Sequence, residues 1–189
     1  MSTARKLVPA GVAAVLAFTV PATAQAQPTS PGSTPMIAQA EASALVNAQD
    51  RAYLRQAHRG HLAEIAAGKA ALGKSRDRGV RAVAWRLVRD HRHLDARLRA
   101  VADRLHVSLP KAPSGVQRER LEAVLAKSGN RFDRAWLRLQ IDAHTQSLQL
   151  GKRELRHGDS RSVKRLAHDS ASAVRHHLHR VRAELAEEH

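Results

Sequence analysis

The sequence predicts an all-α protein: an antiparallel four-helix bundle with an extra short helix in the connection between the second and third long helices. Three observations predict it. Apolar residues make up 43% of the 189, yet aromatics are only 3%. A core must therefore be built from Ala, Leu, Val and Ile, which suits closely packed helices better than β-sheets. Four long stretches space their apolar residues by threes and fours, the period of a helix face. Gly, Pro and Ser fall between these stretches, and no segment reads as a strand.

At the N-terminus, Arg5 and Lys6 precede an apolar run from Leu7 to Val20, interrupted by Thr19 alone. Ala24-Gln25-Ala26 then supplies the small-x-small pattern of a signal peptidase site. Residues 1–26 read as a signal peptide, which predicts an exported protein in the periplasm, cell envelope or medium. The run falls short of the about 20 residues that a membrane span needs. An uncleaved anchor is the rival reading, and after cleavage no span remains. Residues 27–37 begin QPTSPGSTP and read as a disordered Pro/Ser linker.

The helical domain is expected over 38–187. Its first long helix starts at Ala38 or Asn47 and ends at Leu72, where Gly73-Lys74-Ser75 breaks the pattern. The second runs from Asp77 to Leu105, ahead of His106-Val107-Ser108-Leu109-Pro110. A Pro-rich loop leads to a short helix over Gln117–Lys127. Asn130 is the expected N-cap of the third long helix, Phe132 to Arg156. Gly158 ends that helix, and Asp159 or Ser160 caps the fourth, Arg161 to Leu185. Short connections within each pair predict two antiparallel hairpins.

Histidines occupy the apolar stripes. On the second helix, Val80, Ala84, Leu87, His91, Leu94, Leu98, Val101 and Leu105 form a seam whose one polar member is His91. His144 takes that place among Leu137, Ile141, Leu148 and Leu155, and His177 among Val163, Ala167, Ser170, Val174 and Val181. The first helix offers Leu54, His58, His61, Ile65, Gly68 and Leu72, with Glu64 beside them. At about 1.5 Å rise per residue, Glu64, His91, His144 and His177 fall within about two turns of one level.

Two readings stay open. One is a metal site with Glu64, His91, His144 and His177 as ligands, His61 as the alternative on the first helix, and Asp90, Asp95 and Asp142 supporting the rings. It would hold one divalent ion: Zn, Cu, Fe or Mn. The other is a buried polar network in which each imidazole bonds to a neighbouring side chain. His93, His176 and His179 point away from the seams and read as solvent-facing. Glu154-Leu155-Arg156-His157 is the only Glu-x-x-His in the chain and reads as surface, whereas a di-iron carboxylate site needs two.

The formal charge is +15, or thirteen positive charges once Arg5 and Lys6 leave with the signal peptide. For an exported protein this implies anionic envelope polymers or lipid headgroups as partners. With so few aromatics, no stacking platform for nucleic acid is present. The absence of cysteine removes disulfides, thiolate metal sites, Fe–S clusters, cysteine nucleophiles and a lipoprotein anchor. No Ser/His/Asp order, phosphate loop, zinc-protease motif or catalytic carboxylate pair can be placed. Nothing here assigns an enzyme, although a redox or hydrolytic metal centre is compatible with the histidines. Metal handling or stress tolerance is the first functional expectation. Non-enzymatic binding of envelope polyanions is the second.

The segments Asp50–Leu72, Leu87–Pro110, Ser128–His144 and Val163–Leu178 together resemble the domain-of-unknown-function family 4142. Glu64, Asp90-His91, Phe132-Asp133, His144 and His177-Leu178 carry the resemblance most specifically. It implies export and a ferritin-like four-helix bundle, and it implies no reaction.

Overall fold

A computed structural model describes residues 46–187. The proposed signal peptide and linker lie outside the described residues, as does the alternative helix start at Ala38. The described chain is helical, in the order α1 (Ala48–Lys74), α2 (Arg78–Arg104), α3 (Gly115–Leu125), α4 (Asn130–His157) and α5 (Arg161–Glu187). No strand occurs among the described residues.

The caps explain most of the boundaries. Asn47 opens α1 with a reciprocal box: its side chain accepts from the Asp50 N–H at 2.8 Å, and Asp50 Oδ2 accepts from the Asn47 N–H at 2.8 Å. Asp77 caps α2 by accepting from Val80 N–H at 2.8 Å. Arg81 closes the α1–α2 turn by donating to the carbonyls of Leu72 and Ser75. Ser114 and Gln117 form a second reciprocal box, so α3 begins at Gly115, two residues before the expected Gln117. α2 ends where His106 turns left-handed, with φ of 51°. Val107 N–H then reaches back to Ala102 O at 2.9 Å.

The expected Asn130 cap is corrected. The N-cap of α4 is Gly129 at φ 56°, no side chain caps the helix, and Asn130 is its first residue. A positive φ suits glycine, which carries no Cβ, and the preceding turn needs that conformation more than the helix needs an Asx cap.

α1 packs on α2 and α4, and α5 packs on α4 and α2. α3 lies against α4 and α1. The core has two apolar layers. One gathers Tyr53, Leu54, Leu98, Val101, Leu150, Val163 and Leu166. The other gathers Ala71, Val80, Leu87, Phe132, Trp136, Leu137 and Val181. Trp136 is fully buried, and its indole N–H donates to Ala67 O at 2.9 Å. Between the layers lies a polar level of buried His58, His61, Glu64, His91, Asp95, Gln140, His144 and His177.

The α2 seam is buried from Val80 through Val101, and the α5 seam from Val163 through Val181. Two seams need correction. On α4, Leu155 is 41% exposed, while Gln140, Gly151 and Glu154 face inward. Heptad steps from Leu137 and His144 lead to Gly151, so Leu155 belongs to the outer face. On α1, Glu64 lies in the buried stripe and Ile65 is only half-buried.

Candidate metal centre

His91 from α2, His144 from α4 and His177 from α5 meet in the polar level. Each ring can offer a nitrogen such that all three lie within 4.8 Å of one another. Ring centroids are 5.4 Å apart for His91 and His144, 5.3 Å for His91 and His177, and 5.4 Å for His144 and His177. The three residues are no more than 3% exposed.

Hydrogen-bond partners fix where two of the protons sit. His144 Nδ1 lies 2.8 Å from Gln140 O, which only accepts, so Nδ1 carries the proton and Nε2 keeps its lone pair. His177 Nε2 lies 3.0 Å from Asp90 Oδ2, so it donates to that carboxylate and Nδ1 keeps its lone pair. His177 Nδ1 is buried without a partner. His91 has two choices. Its Nδ1 is 3.0 Å from His61 Nδ1 and its Nε2 is 3.4 Å from His144 Nε2. With the proton on Nε2 it donates to His144 and accepts from His61. With the proton on Nδ1 it donates to His61, and lone pairs are then free on His91 Nε2, His144 Nε2 and His177 Nδ1.

Those lone pairs could hold a metal. A tetrahedral zinc with Zn–N bonds of about 2.0–2.1 Å separates its nitrogens by about 3.3–3.4 Å. The His91–His144 separation of 3.4 Å is already that edge. Burial keeps the rings neutral, as ligation requires. It lowers His144 to about 4, against the bond to Gln140 O and with His177 adding to the fall. It lowers His91 well below the usual imidazole range, with His61, His144 and His177 adding to the effect. Burial also lowers His177, although Asp90 pulls the other way. His61 falls to about 3, through burial first and then through His58, His144 and His177.

Glu64 stands beside the trio. Its Oε1 is 3.9 Å from His144 Nδ1, the ring edge turned away from His91, and its Oε2 has no partner. Burial pushes its carboxyl up to about 8. The supporting acids divide. Asp90 holds His177, as its place in the sequence suggested. Burial raises the Asp90 carboxyl, but hydrogen bonds from His177 and Arg89 outweigh this and hold it below its ordinary range. Asp95 pairs with His58 instead, Oδ1 to Nδ1 at 2.5 Å. Asp142 is exposed and supports no ring, because it lies two residues from His144 and so on another face of α4. His93, His176 and His179 are exposed, as expected.

The family model described as Domain of unknown function (DUF4142) matches residues 35–183. The chain belongs to the DUF4142 family. No curated protein sequence matches it. Two solved structures share the fold of this DUF4142 chain. One is a DUF305 fragment from Deinococcus radiodurans, at TM-score 0.67 and 18% identity, covering 75% of this chain and 98% of the other. The second is a DUF305 protein from Streptomyces coelicolor, described as secreted, at TM-score 0.63 and 16% identity. It covers 74% of this chain and 93% of the other. Among the described residues, no helix is long and apolar enough to cross a membrane.

Sequence reasoning missed two features of this DUF4142 domain. Gln140 is 1% exposed and neither of its amide atoms has a partner. A four-residue step back from His144 would have found it. Glu154, expected at the surface, is 0% exposed and lies against the similarly buried Asp50. Its burial depends on the start of α1, which the periodicity of α4 cannot report.

Proposed function

We propose that this is an exported protein whose four long helices form a ferritin-like antiparallel bundle and bind one divalent metal ion through His91, His144 and His177. The observation that carries the reading is the grouping of one ring nitrogen from each of His91, His144 and His177 within 4.8 Å, while acceptors on the opposite nitrogens of His144 and His177 leave His144 Nε2 and His177 Nδ1 with free lone pairs. An ion there satisfies the orphaned His177 Nδ1 and removes the repulsion among facing lone pairs. With the ion bound, His91 carries its proton on Nδ1 and donates it in a hydrogen bond to His61, and Asp90 orients His177. Three imidazoles leave a fourth position open, as in sites that bind or turn over a small ligand. Zn, Cu, Fe and Mn all accept imidazole, with Cu and Zn the stronger binders. Glu64 stands on the outer edge of His144, and its buried carboxyl, pushed up to about 8, becomes an anion there when a cation binds nearby. Metal handling or stress tolerance in the envelope fits such a centre, and the signal peptide over 1–26 would deliver it there.

Elemental analysis of untagged protein recovered after export in metal-replete medium tests this. One equivalent of metal is expected in the wild type and none in His177→Ala, while His176→Ala and His179→Ala keep it. Metal-free wild type that Zn, Cu, Fe and Mn all fail to stabilise would refute the reading and leave the polar network as the account of the histidines.

A second reading rests on a separate groove between α2 and α5, lined by Arg97, Arg104, Arg161 and Arg165, with Asp169, paired to Arg97, the one carboxylate in its lining. Such a groove attracts anionic polymers or headgroups. Sedimentation with anionic vesicles that falls steeply between low and physiological salt supports it, and binding indifferent to salt counts against it.

A further inference from the structure

The groove between α1 and α4, roofed by α3, encloses a pocket of about 460 Å³. Ligand sites of small molecules commonly span about 300–1,000 Å³. The space exists because the facing residues are small: Ala57, Gly60 and Ala63 on α1, Ala143 and Ser147 on α4. A Cβ added at Gly60 would meet no atom within 4 Å. The short α3 forms the roof, with Val124 buried beneath it and Leu121 and Gln117 on the pocket wall. The inserted helix thus has a second role beside burying Val124 in the core.

The lining has three chemical parts. Gln140 is among the lining residues, is 1% exposed and has both amide atoms unpartnered, and Glu64, whose Oε2 is likewise unpartnered, lines the pocket too. Buried polar groups normally find partners, so an orphaned amide on a lining residue is a donor and acceptor that an occupant can claim once the side chain turns toward it. The walls are apolar, from Leu121, Leu139 and Leu150. Arg59, Arg120 and Arg153 also line it, beside neutral glutamines and serines, and Glu64 is the only carboxyl in the lining set against those three guanidinium groups. The field inside is positive even when Glu64 is counted as an anion. Bare inorganic anions match the arginines but waste the apolar walls, and neutral apolar molecules match the walls but leave Gln140 unpaired.

We propose that this pocket binds a small organic carboxylate, its carbon body against the leucines and its carboxylate between Gln140 and the arginines. The inference goes beyond the metal reading and does not depend on it, because His177 takes no part in the lining. His61, His91 and His144 do line the pocket, so an occupant sits beside the histidine cluster.

Calorimetric titration of chelator-treated, full-length exported protein tests the proposal, with butyrate and benzoate as probes, butyramide and benzyl alcohol as uncharged counterparts, and inorganic phosphate as the bare anion. Saturable one-to-one binding of butyrate or benzoate is expected, with the uncharged molecules and phosphate weaker by about tenfold or more. Gln140→Leu and Gly60→Leu should each weaken the carboxylate by about tenfold while the helical circular dichroism stays unchanged. If one variant fails to fold, the other decides. His177→Ala should leave carboxylate affinity within about twofold while removing metal, so the two readings fail separately. Absence of saturation at millimolar probe, equal binding of butyramide or phosphate, indifference to the folded variants, or loss of binding in His177→Ala would each overturn the proposal.

Discussion

Two of the regions where the domain buries polar groups use them differently. At one end, Asp50 is 0% exposed, and its carboxylate accepts from the N–H groups of Asn47, Asp159 and Ser160. Those bonds tie the start of α1 to the α4–α5 turn, and Asn47 reinforces the tie by donating to His157 O at 2.8 Å. At mid-level, the histidines bond outward to Asp90 and Gln140 O and turn their remaining nitrogens toward one another. Polar burial that closes on backbone donors is structural, because each acceptor meets an obligatory N–H. Polar burial that leaves lone pairs unpartnered costs stability, and such costs concentrate at functional sites.

Breaking the first region should give the largest effect. Asp50→Ala removes the α1 capping box and takes the acceptor from the N–H groups of Asp159 and Ser160. We expect a loss of about 2–4 kcal/mol in denaturant unfolding, since the stranded buried Ser160 N–H costs about 1–3 kcal/mol and the lost cap about 1, while the exposed Asp159 N–H returns to water. His91→Leu in metal-free protein removes one buried polar ring but takes the partner from His61 Nδ1 and His144 Nε2, and should destabilise by about 1–2 kcal/mol, less than Asp50→Ala. A destabilisation by His91→Leu as large as that by Asp50→Ala would show that the histidine level is a closed network like the acid end.

Metal separates the regions next. Saturating ion at about 100 times its dissociation constant adds about 2.7 kcal/mol to the wild type. The same addition to His177→Ala should move the thermal midpoint by nothing measurable, while Asp50→Ala should keep the whole increment on its lowered base. An increment that survives His177→Ala would place the ion elsewhere.

The pH response also differs between the two. Burial pushes Glu154 up to about 7, the hydrogen bond to Asp50 adds to the rise, and Gln49 pulls against it. The folded chain therefore holds this proton where the unfolded chain releases it. Stability from Glu154 is fully present below about pH 4.5 and falls as pH rises to about 7, by at most about 1.4 kcal/mol per unit. The histidines act oppositely. His144 and His61 are depressed to about 4 and 3, so the unfolded chain takes up protons first, and stability falls as pH drops below about 6.5. Unfolding of wild type and Glu154→Gln across pH 4–8 isolates the first effect. The wild type should lose stability relative to the variant between pH 4.5 and 7. A constant difference would mean that Glu154 ionises normally.

How far the sequence reveals this contrast depends on what each region is made of. The seams of α2 and α5 are regular, so counting threes and fours placed His91 and His177 at one level, and His144 followed from α4. Periodicity carries that information because it reports which face is buried. It does not report which neighbour a buried group meets. Asp95 and His58 form a pair that helix level alone could not assign, and Asp142 falls on an outer face despite its closeness to His144 in the chain. The acid end was invisible, because Asp50 and Glu154 come together only when the two hairpins dock. Gly129 displaced Asn130 as a cap for a similar reason: the turn before α4 sets the backbone, and cap preference follows.

The smallest expected effect tests the contrast on a single helix. α1 meets α2 so closely at Gly68 that an added Cβ would lie 2.6 Å from Val88 Cγ2 and 3.1 Å from Ala84 O. The Val88 methyl can rotate, but the Ala84 carbonyl belongs to α2 itself, so relief requires the helices to part. Gly68→Ala should therefore destabilise by about 1–3 kcal/mol, the usual cost of overpacking. Two turns earlier, Gly60 faces the pocket, and its added Cβ meets nothing. There only backbone entropy changes, and Gly60→Ala should stabilise the domain by about 0.5–1 kcal/mol. Opposite signs from one substitution on one helix would mark the α1–α2 face as packed for stability and the α1–α4 face as left open. Equal destabilisation at both sites would mean that the α1–α4 space closes in solution, removing the room that separates the histidine level from an ordinary core.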